Sequence, residues 1–269
     1  MAEQKIATES GHWYAPDGSP CYEVKGAKGQ VRPTTLRDAR KMGLYPSVTT
    51  VMQMLPKPGL DAWKQRQVLL AALTSPHQAD GESHDDYIAR IMADAAEQAK
   101  VAREKGVNIH GAIERHLQGL PVEDEYRPFA EAAMNALLNH LSAYHDDLKF
   151  DVFEAEKSFA CPLGFGGKVD LHSRALNVVA DFKTKEFDES ATKLAWDEHR
   201  IQLEAYRNGL ALPTARMLNV FVSTSVPGLV RVIEHEDGDS QPWDVFMACL
   251  NLWKTLKGYH PSSASGGKS

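Results

Sequence analysis

Asp170 and the run Asp181-Phe182-Lys183 are the residues of this chain whose types and spacing could do chemistry. Leu171 to Ser173 read as a strand, Arg174 to Asn177 as a turn, and Val178 to Lys183 as the returning strand. A short hairpin of that kind brings both acids and the lysine together. Side chains alternate along a strand, which sets Asp181 and Lys183 on one face and Val178, Ala180 and Phe182 on the other. Two carboxylates held close repel each other, and one would normally stay protonated. A divalent cation removes that conflict, and a neighbouring ammonium can then serve a reacting anion. Together these are the parts for metal-assisted hydrolysis of a phosphodiester.

The plainer reading of the same residues is surface acids on two exposed strands. Against it stands the apolar run Val178-Val179-Ala180, which reads as a buried strand in which a charge needs a partner. Lys185 follows on the same face as Lys183, but Lys183 is set two residues after Asp181 and is the better placed of the two.

The arrangement resembles the PD-(D/E)XK nuclease superfamily, and more closely its RecB-type exonuclease branch. Asp170, closing Gly166-Gly-Lys-Val-Asp170, corresponds to the first acid, and Asp181-Phe182-Lys183 to the D-x-K motif. Val169 stands where the superfamily usually has proline. Upstream, Gly106-Val-Asn-Ile-His110-Gly-Ala-Ile-Glu114 is similar to the helix that brings a histidine to the metal. Downstream, Arg200-Ile-Gln202-Leu-Glu-Ala-Tyr206 is similar to the helix that carries a glutamine and a tyrosine towards the site. A D-x-K alone is a weak signal, whereas four ordered segments over about residues 105–225 are a specific one. More loosely, Tyr45-Pro-Ser-Val-Thr-Thr50 and Leu60-Asp-Ala-Trp63 look like an early segment of phage and mitochondrial exonucleases.

The resemblance implies a metal held by Asp170, Asp181, the Phe182 carbonyl and His110, with Lys183 beside it to orient or deprotonate water and to stabilise charge growing on phosphorus. Oxygen ligands imply Mg²⁺, and the imidazole makes Mn²⁺ an equally good fit. Gly106 and Gly111 would let the His110 helix approach a strand closely, and Glu114, one turn on, could orient the imidazole or ligate through water. A lone histidine on an apolar helix face is otherwise more often structural. Gln202 and Tyr206, four apart on one helix face, would touch the substrate phosphate or the metal-site network, with His199 and Arg200 just before them; an ordinary half-exposed face is the alternative. Glu156 could add a water-mediated metal contact, with Glu154 an equal candidate by composition.

These residues need a scaffold to place them. From Asp151 the pattern has period two, and the order of elements onward reads α, β, β, β, α, β. The expected class is α/β, a restriction-endonuclease-like core with a mixed central β-sheet flanked by helices. Residues 1–45 read as an N-terminal extension in which His12-Trp-Tyr and Cys21-Tyr-Glu-Val form a hairpin around Pro16 to Pro20. Residues 46–259 read as one domain: helical over 46–148, with the catalytic core over about 105–236 and a C-terminal helix over 240–257. Helices are expected over 35–42 (closed by Gly43), 47–55 and 60–73, and over 83–105 with a break at Gly106. Further helices are expected over 128–144 and 197–210. The Ser/Gly-rich tail 260–269 is expected to be disordered.

Composition narrows the function further. The chain of 269 residues is long enough for a full core and has a net charge of −6, which argues against coating nucleic acid by bulk electrostatics. Lys25, Lys28, Arg32, Arg37, Arg40 and Lys41 nevertheless gather in one stretch, either as a local approach for phosphates or as solvated surface. The three cysteines are too few for an iron–sulfur cluster and too scattered for a disulfide framework. There is no G-x-S-x-G, H-E-x-x-H or C-x-x-C, so serine hydrolase, zincin and structural-zinc chemistry have no foothold. No apolar run reaches membrane-spanning length, no signal or transit pattern opens the chain, and the expected location is cytoplasmic. The expected activity is a Mg²⁺-dependent DNA exonuclease of phage-type recombination or repair, with DNA as partner and a single-strand annealing or binding protein as a second. The rivals are a site- or structure-specific endonuclease, an RNA nuclease and a catalytically silent DNA-binding subunit.

Overall fold

The computed structural model describes residues 12–26, 29–144, 152–236 and 240–261; the expected disordered tail lies almost wholly outside them. At its centre is a five-stranded sheet in the order β5 (Glu154–Cys161), β6 (Phe165–Ser173), β7 (Val178–Lys185), β8 (Arg216–Ser223), β9 (Val230–His235). Neighbours are antiparallel except β7 and β8, which run parallel because α6 (Asp197–Gly209) carries the chain back over the sheet between them. The class is therefore mixed α/β, a mixed sheet flanked by helices. The β6–β7 turn falls at 174–177 as the sequence predicts, closed by Ser173 Oγ accepting from Leu176 N–H and by Asn177 at a positive φ that asparagine tolerates.

The alternation read in β7 decides what each face packs against. Val178, Ala180 and Phe182 enter a cluster with Ile109 and Ile113 of α4 (His84–Leu117) and with Phe129 and Leu137 of α5 (Arg127–Ser142). Val179 enters the opposite cluster, with Leu203 and Ala205 of α6, Val48 of α2 (Val48–Val51) and Phe246 of α7 (Gln241–Lys257). Each face of the strand is thus committed to a different helical layer.

Several helix limits follow local chemistry. Thr35 caps α1 (Leu36–Met42) in a reciprocal capping box with Asp38, and Gly43 ends it in the left-handed region. The helix expected over 47–55 divides into α2 and a 3₁₀ turn at Met52–Met54. The expected break at Gly106 is absent. α4 runs unbroken for 34 residues, about 50 Å at 1.5 Å per residue. Its first half packs on α3 (Pro58–Thr74) through Ala71, Ile91 and Ala95, and its last turns enter the core. A single glycine does not stop a helix held by packing at both ends, and Gly106 has another use described below.

The N-terminal hairpin is also redrawn. Cys21 N–H does return to the Trp13 carbonyl at 2.7 Å, so the turn exists. The ladders, however, join β1 (Trp13–Tyr14) to β4 (Tyr45–Pro46), and β2 (Glu23–Lys25) to β3 (Val31–Pro33). Trp13 and Tyr14 are buried, Trp13 against Trp253 of α7, and long-range burial outweighs a local turn signal. Tyr14 in turn lies on Gly166 of β6, which bridges to Ser47. A Cβ at Gly166 would fall 2.7 Å from Tyr14 Cβ and 2.9 Å from the Phe159 carbonyl oxygen. Gly166→Ala should therefore destabilise the chain by about 1–3 kcal/mol through overpacking, read from the urea midpoint. An unchanged midpoint would mean that the close seating of β1 on β6 is not required.

Candidate active site

The ladder between β6 and β7 runs from Ser173↔Val178 to Leu171↔Ala180 and stops. Beyond that point β6 keeps β5 and β7 keeps β8. The next backbone groups of β7 therefore take other partners. Phe182 N–H donates to Asp170 Oδ2 at 2.8 Å, and the Phe182 carbonyl lies 2.7 Å from His110 Nε2. The same imidazole nitrogen is 3.6 Å from Asp170 Oδ2. α4 can come this close because Gly106, one turn before His110, has no side chain: a Cβ there would stand 2.8 Å from Thr184 Oγ1. Gly111 faces open space and contributes nothing to the approach. Glu114 accepts from Gln118, and among the described residues no hydrogen bond joins it to His110.

Asp181 sits deeper, at 2% exposure, and its charge is answered on three sides. Lys183 Nζ is 2.6 Å from Oδ2, Asn219 Nδ2 donates to Oδ2 at 3.0 Å, and Gln202 Nε2 donates to Oδ1 at 3.2 Å. Gln202 Nε2 also lies 2.7 Å from the Tyr206 hydroxyl, so the predicted glutamine and tyrosine form a buried relay behind the acid. Lys185 is held elsewhere, over the Trp196 ring, which separates it from Lys183. Arg200 donates to the Glu236 carbonyl.

Burial and the neighbouring Asp181 charge raise the Asp170 pKa to about 6, although its side chain keeps 16% exposure. His110 and Lys183 oppose that shift through their charges. Burial, then the two acids, drives the Tyr206 hydroxyl well above its ordinary value, so it stays protonated. Burial and then the Lys183 charge lower His199 to about 4, leaving it neutral at pH 7. A cavity of about 260 Å³ opens beside Lys183, lined by Thr49, Lys57, Leu60, His199 and Gln202.

Glu156 faces the Asp170 position across β5–β6, where the ladder skips from Ala155↔Leu171 to Lys157↔Val169. It has φ 54 and pairs with Lys168, whereas Glu154 pairs with Lys157. Of the two candidate glutamates, Glu156 is the nearer to the acids. Within the basic stretch, Arg32 is spent on Asp38 and Arg40 on the Lys257 carbonyl, while Lys28 lies outside the described residues.

Sequence reasoning missed Asn219 and His235. Asn219 is fully buried opposite Asp181 in the β7–β8 register, and its Oδ1 is 2.7 Å from His235 Nε2. The signal was available: one asparagine interrupts the apolar run Met217 to Val222.

Among the described residues, no three His, Cys, Asp or Glu side chains form a ready metal cage, since the Asp181 carboxylate is turned to Lys183. The donors that do gather are the Asp170 carboxylate, the Phe182 carbonyl and one imidazole nitrogen, a set suited to a hard divalent ion. Neither a family model nor a curated protein matches this sequence. Among solved structures, one titled "Crystal structure of SSO0001" is similar over 54% of this chain and 85% of its own, at 17% identity and a TM-score of 0.29. A likeness of that size bears on neither fold nor function. Among the described residues, no helix is long and apolar enough to cross a membrane.

An acid whose pKa is higher in the fold than in the unfolded chain binds its proton more tightly when folded. Its contribution to stability therefore falls as pH rises from about 4 through about 6. Asp170→Asn removes the charge and keeps an oxygen for Phe182 N–H. Without added metal, the variant should exceed the parent in stability near pH 8 by on the order of 2 kcal/mol, with the gap closing towards pH 4. Urea titrations at both pH values measure this; a gap independent of pH would remove burial of charge as the cause.

Proposed function

We propose that this chain is a Mg²⁺-dependent deoxyribonuclease with a restriction-endonuclease-like core, similar to the RecB-type exonuclease branch of the PD-(D/E)XK superfamily. We read it as an exonuclease acting in phage-type recombination or repair. One observation carries the reading: a partly desolvated Asp170 and a buried Asp181 meet where the sheet splits, with Lys183 Nζ 2.6 Å from Asp181. A purely structural ion pair has no need of the second, destabilised acid, nor of a cavity opening beside the lysine.

The residues fit a divalent ion on their own spacing. Ligand atoms 2.0–2.1 Å from a six-coordinate ion stand about 3.0 Å apart. The His110–Phe182 and His110–Asp170 separations, 2.7 and 3.6 Å, bracket that value. Asp170, Asp181, the Phe182 carbonyl and His110 would hold the ion, with Mn²⁺ able to replace Mg²⁺. When bound, the cation supplies a Lewis acid for the phosphate and lowers the pKa of water.

The chain's own groups supply the rest. Phe182 N–H fixes Asp170, and Gln202 and Asn219 fix Asp181, whose carboxylate would have to turn one oxygen from Lys183 to the ion. Lys183 Nζ carries three donors, of which Asp181 takes one. The other two can meet a non-bridging phosphate oxygen and the attacking water. Water oxygen bonds to phosphorus as the bond to the leaving oxygen breaks, and the leaving oxygen takes up a proton. The protonated Tyr206 and neutral His199 add no competing charge.

Lys183→Ala should lower cleavage by at least about a hundredfold while DNA binding is largely kept. The measurement is release of end-labelled nucleotide from linear DNA with Mg²⁺, repeated with EDTA and with closed circular DNA. Full activity in the variant would remove Lys183 from the mechanism. Cutting of closed circles would make the enzyme an endonuclease, and no metal-dependent release from any strand would overturn the assignment.

A further inference from the structure

An aromatic step lies against β6 that the proposed hydrolytic residues do not use. His12 and Tyr22 have ring centres 4.5 Å apart with planes inclined by 30°. Tyr14 meets Tyr22 edge-on at 5.7 Å, and their hydroxyls are 2.8 Å apart, which locks the Tyr22 ring. Tyr14 is itself seated on Gly166, so the pair is anchored to β6 four residues before Asp170. His12 is exposed at the surface while packing part of its ring against Tyr22. Burial, and after it the charge of Lys168, lowers the His12 pKa, so the ring it offers is neutral at pH 7.

The surroundings suit a strand of nucleotides. Lys168 is two residues from Asp170, on the same face of β6 by strand alternation. Glu156 pairs with Lys168 from a positive φ, a strained conformation for a non-glycine residue. That strain has a use if Lys168 must be held in place. On the other side, Tyr14 is seated on Gly166 and Tyr206 lies against the adjoining Gly167, with its hydroxyl 2.7 Å from Gln202. Gln202 lines the cavity beside Lys183, four residues or about 6 Å back along α6.

We propose that His12 and Tyr22 form a stacking platform for an unpaired nucleobase of the substrate strand, with Lys168 taking the adjoining phosphate. The proposal rests on the nuclease reading and narrows its substrate to DNA with an unpaired end. A base inside a duplex has both faces covered by its neighbours and a terminal pair is held by its partner strand, so an unpaired base is the one free to turn onto the His12–Tyr22 stack. Aromatic stacking accepts any base, because every base presents a π face, and the neighbouring cation gathers the backbone.

The test is anisotropy of a short fluorescein-labelled oligothymidylate in EDTA, with the intact chain and its His12→Ala and His12→Phe variants. Circular dichroism melting confirms that each variant is folded. His12→Ala should bind about tenfold to a hundredfold more weakly, the loss of one stacked base, and His12→Phe should bind as the parent does. An oligonucleotide of the same length with abasic sites should bind the parent weakly and be insensitive to His12→Ala. Parental affinity in His12→Ala, or equal weakness in His12→Phe, overturns the platform while leaving the nuclease reading intact. Failure of the parent chain to bind or cut any strand overturns both.

Discussion

The structure turns on the point where β6 leaves β7. A sheet that stops pairing in its interior strands backbone groups in a place water reaches poorly, and such groups must be satisfied. Here Asp170 accepts from Phe182 N–H, and His110 meets the Phe182 carbonyl. The split therefore creates a need for a carboxylate and an imidazole at one spot, and the surrounding elements are arranged to deliver them. α4 supplies the imidazole by lying against β7 at Gly106, where any side chain would strike Thr184.

Satisfying the backbone in this way creates an electrostatic debt. Asp170 is desolvated within reach of Asp181, and the two negative charges oppose each other. The fold answers only the deeper acid in full: Lys183, Gln202 and Asn219 surround Asp181, while Asp170 is left with one backbone donor and an imidazole. Of the two neighbouring acids, Asp170 is thus the one whose charge the fold disfavours. The same layering isolates the site, because β7 commits one face to α4 and α5 and the other to α6.

The segment before α1 belongs to this arrangement too. Tyr14 rests on Gly166 and meets Tyr22 edge-on, and Trp13 packs on Trp253 of α7. Residues far apart in the chain thereby pack against β6 and α7. The cavity draws Thr49, Lys57 and Leu60 from the α2–α3 region towards Lys183.

Much of the core was legible in the sequence because it rests on local rules. Period-two alternation set Asp181 and Lys183 apart from Val178, Ala180 and Phe182; Thr35 and Gly43 marked the ends of α1; Arg174 to Asn177 marked the turn between the acids. Each of these depends on residues a few positions apart. What only the tertiary structure decided was long-range. Gly106 is spacing for Thr184 and not a helix break; Trp13 and Tyr14 meet Cys21 and Pro20 across the turn but form their ladder with β4; Asn219 comes to lie beside Asp181, and Glu156, not Glu154, comes to lie opposite Asp170. Strand register and helix contact join residues distant in the chain, and the burial that selects them is a property of the packed whole, which no local spacing encodes.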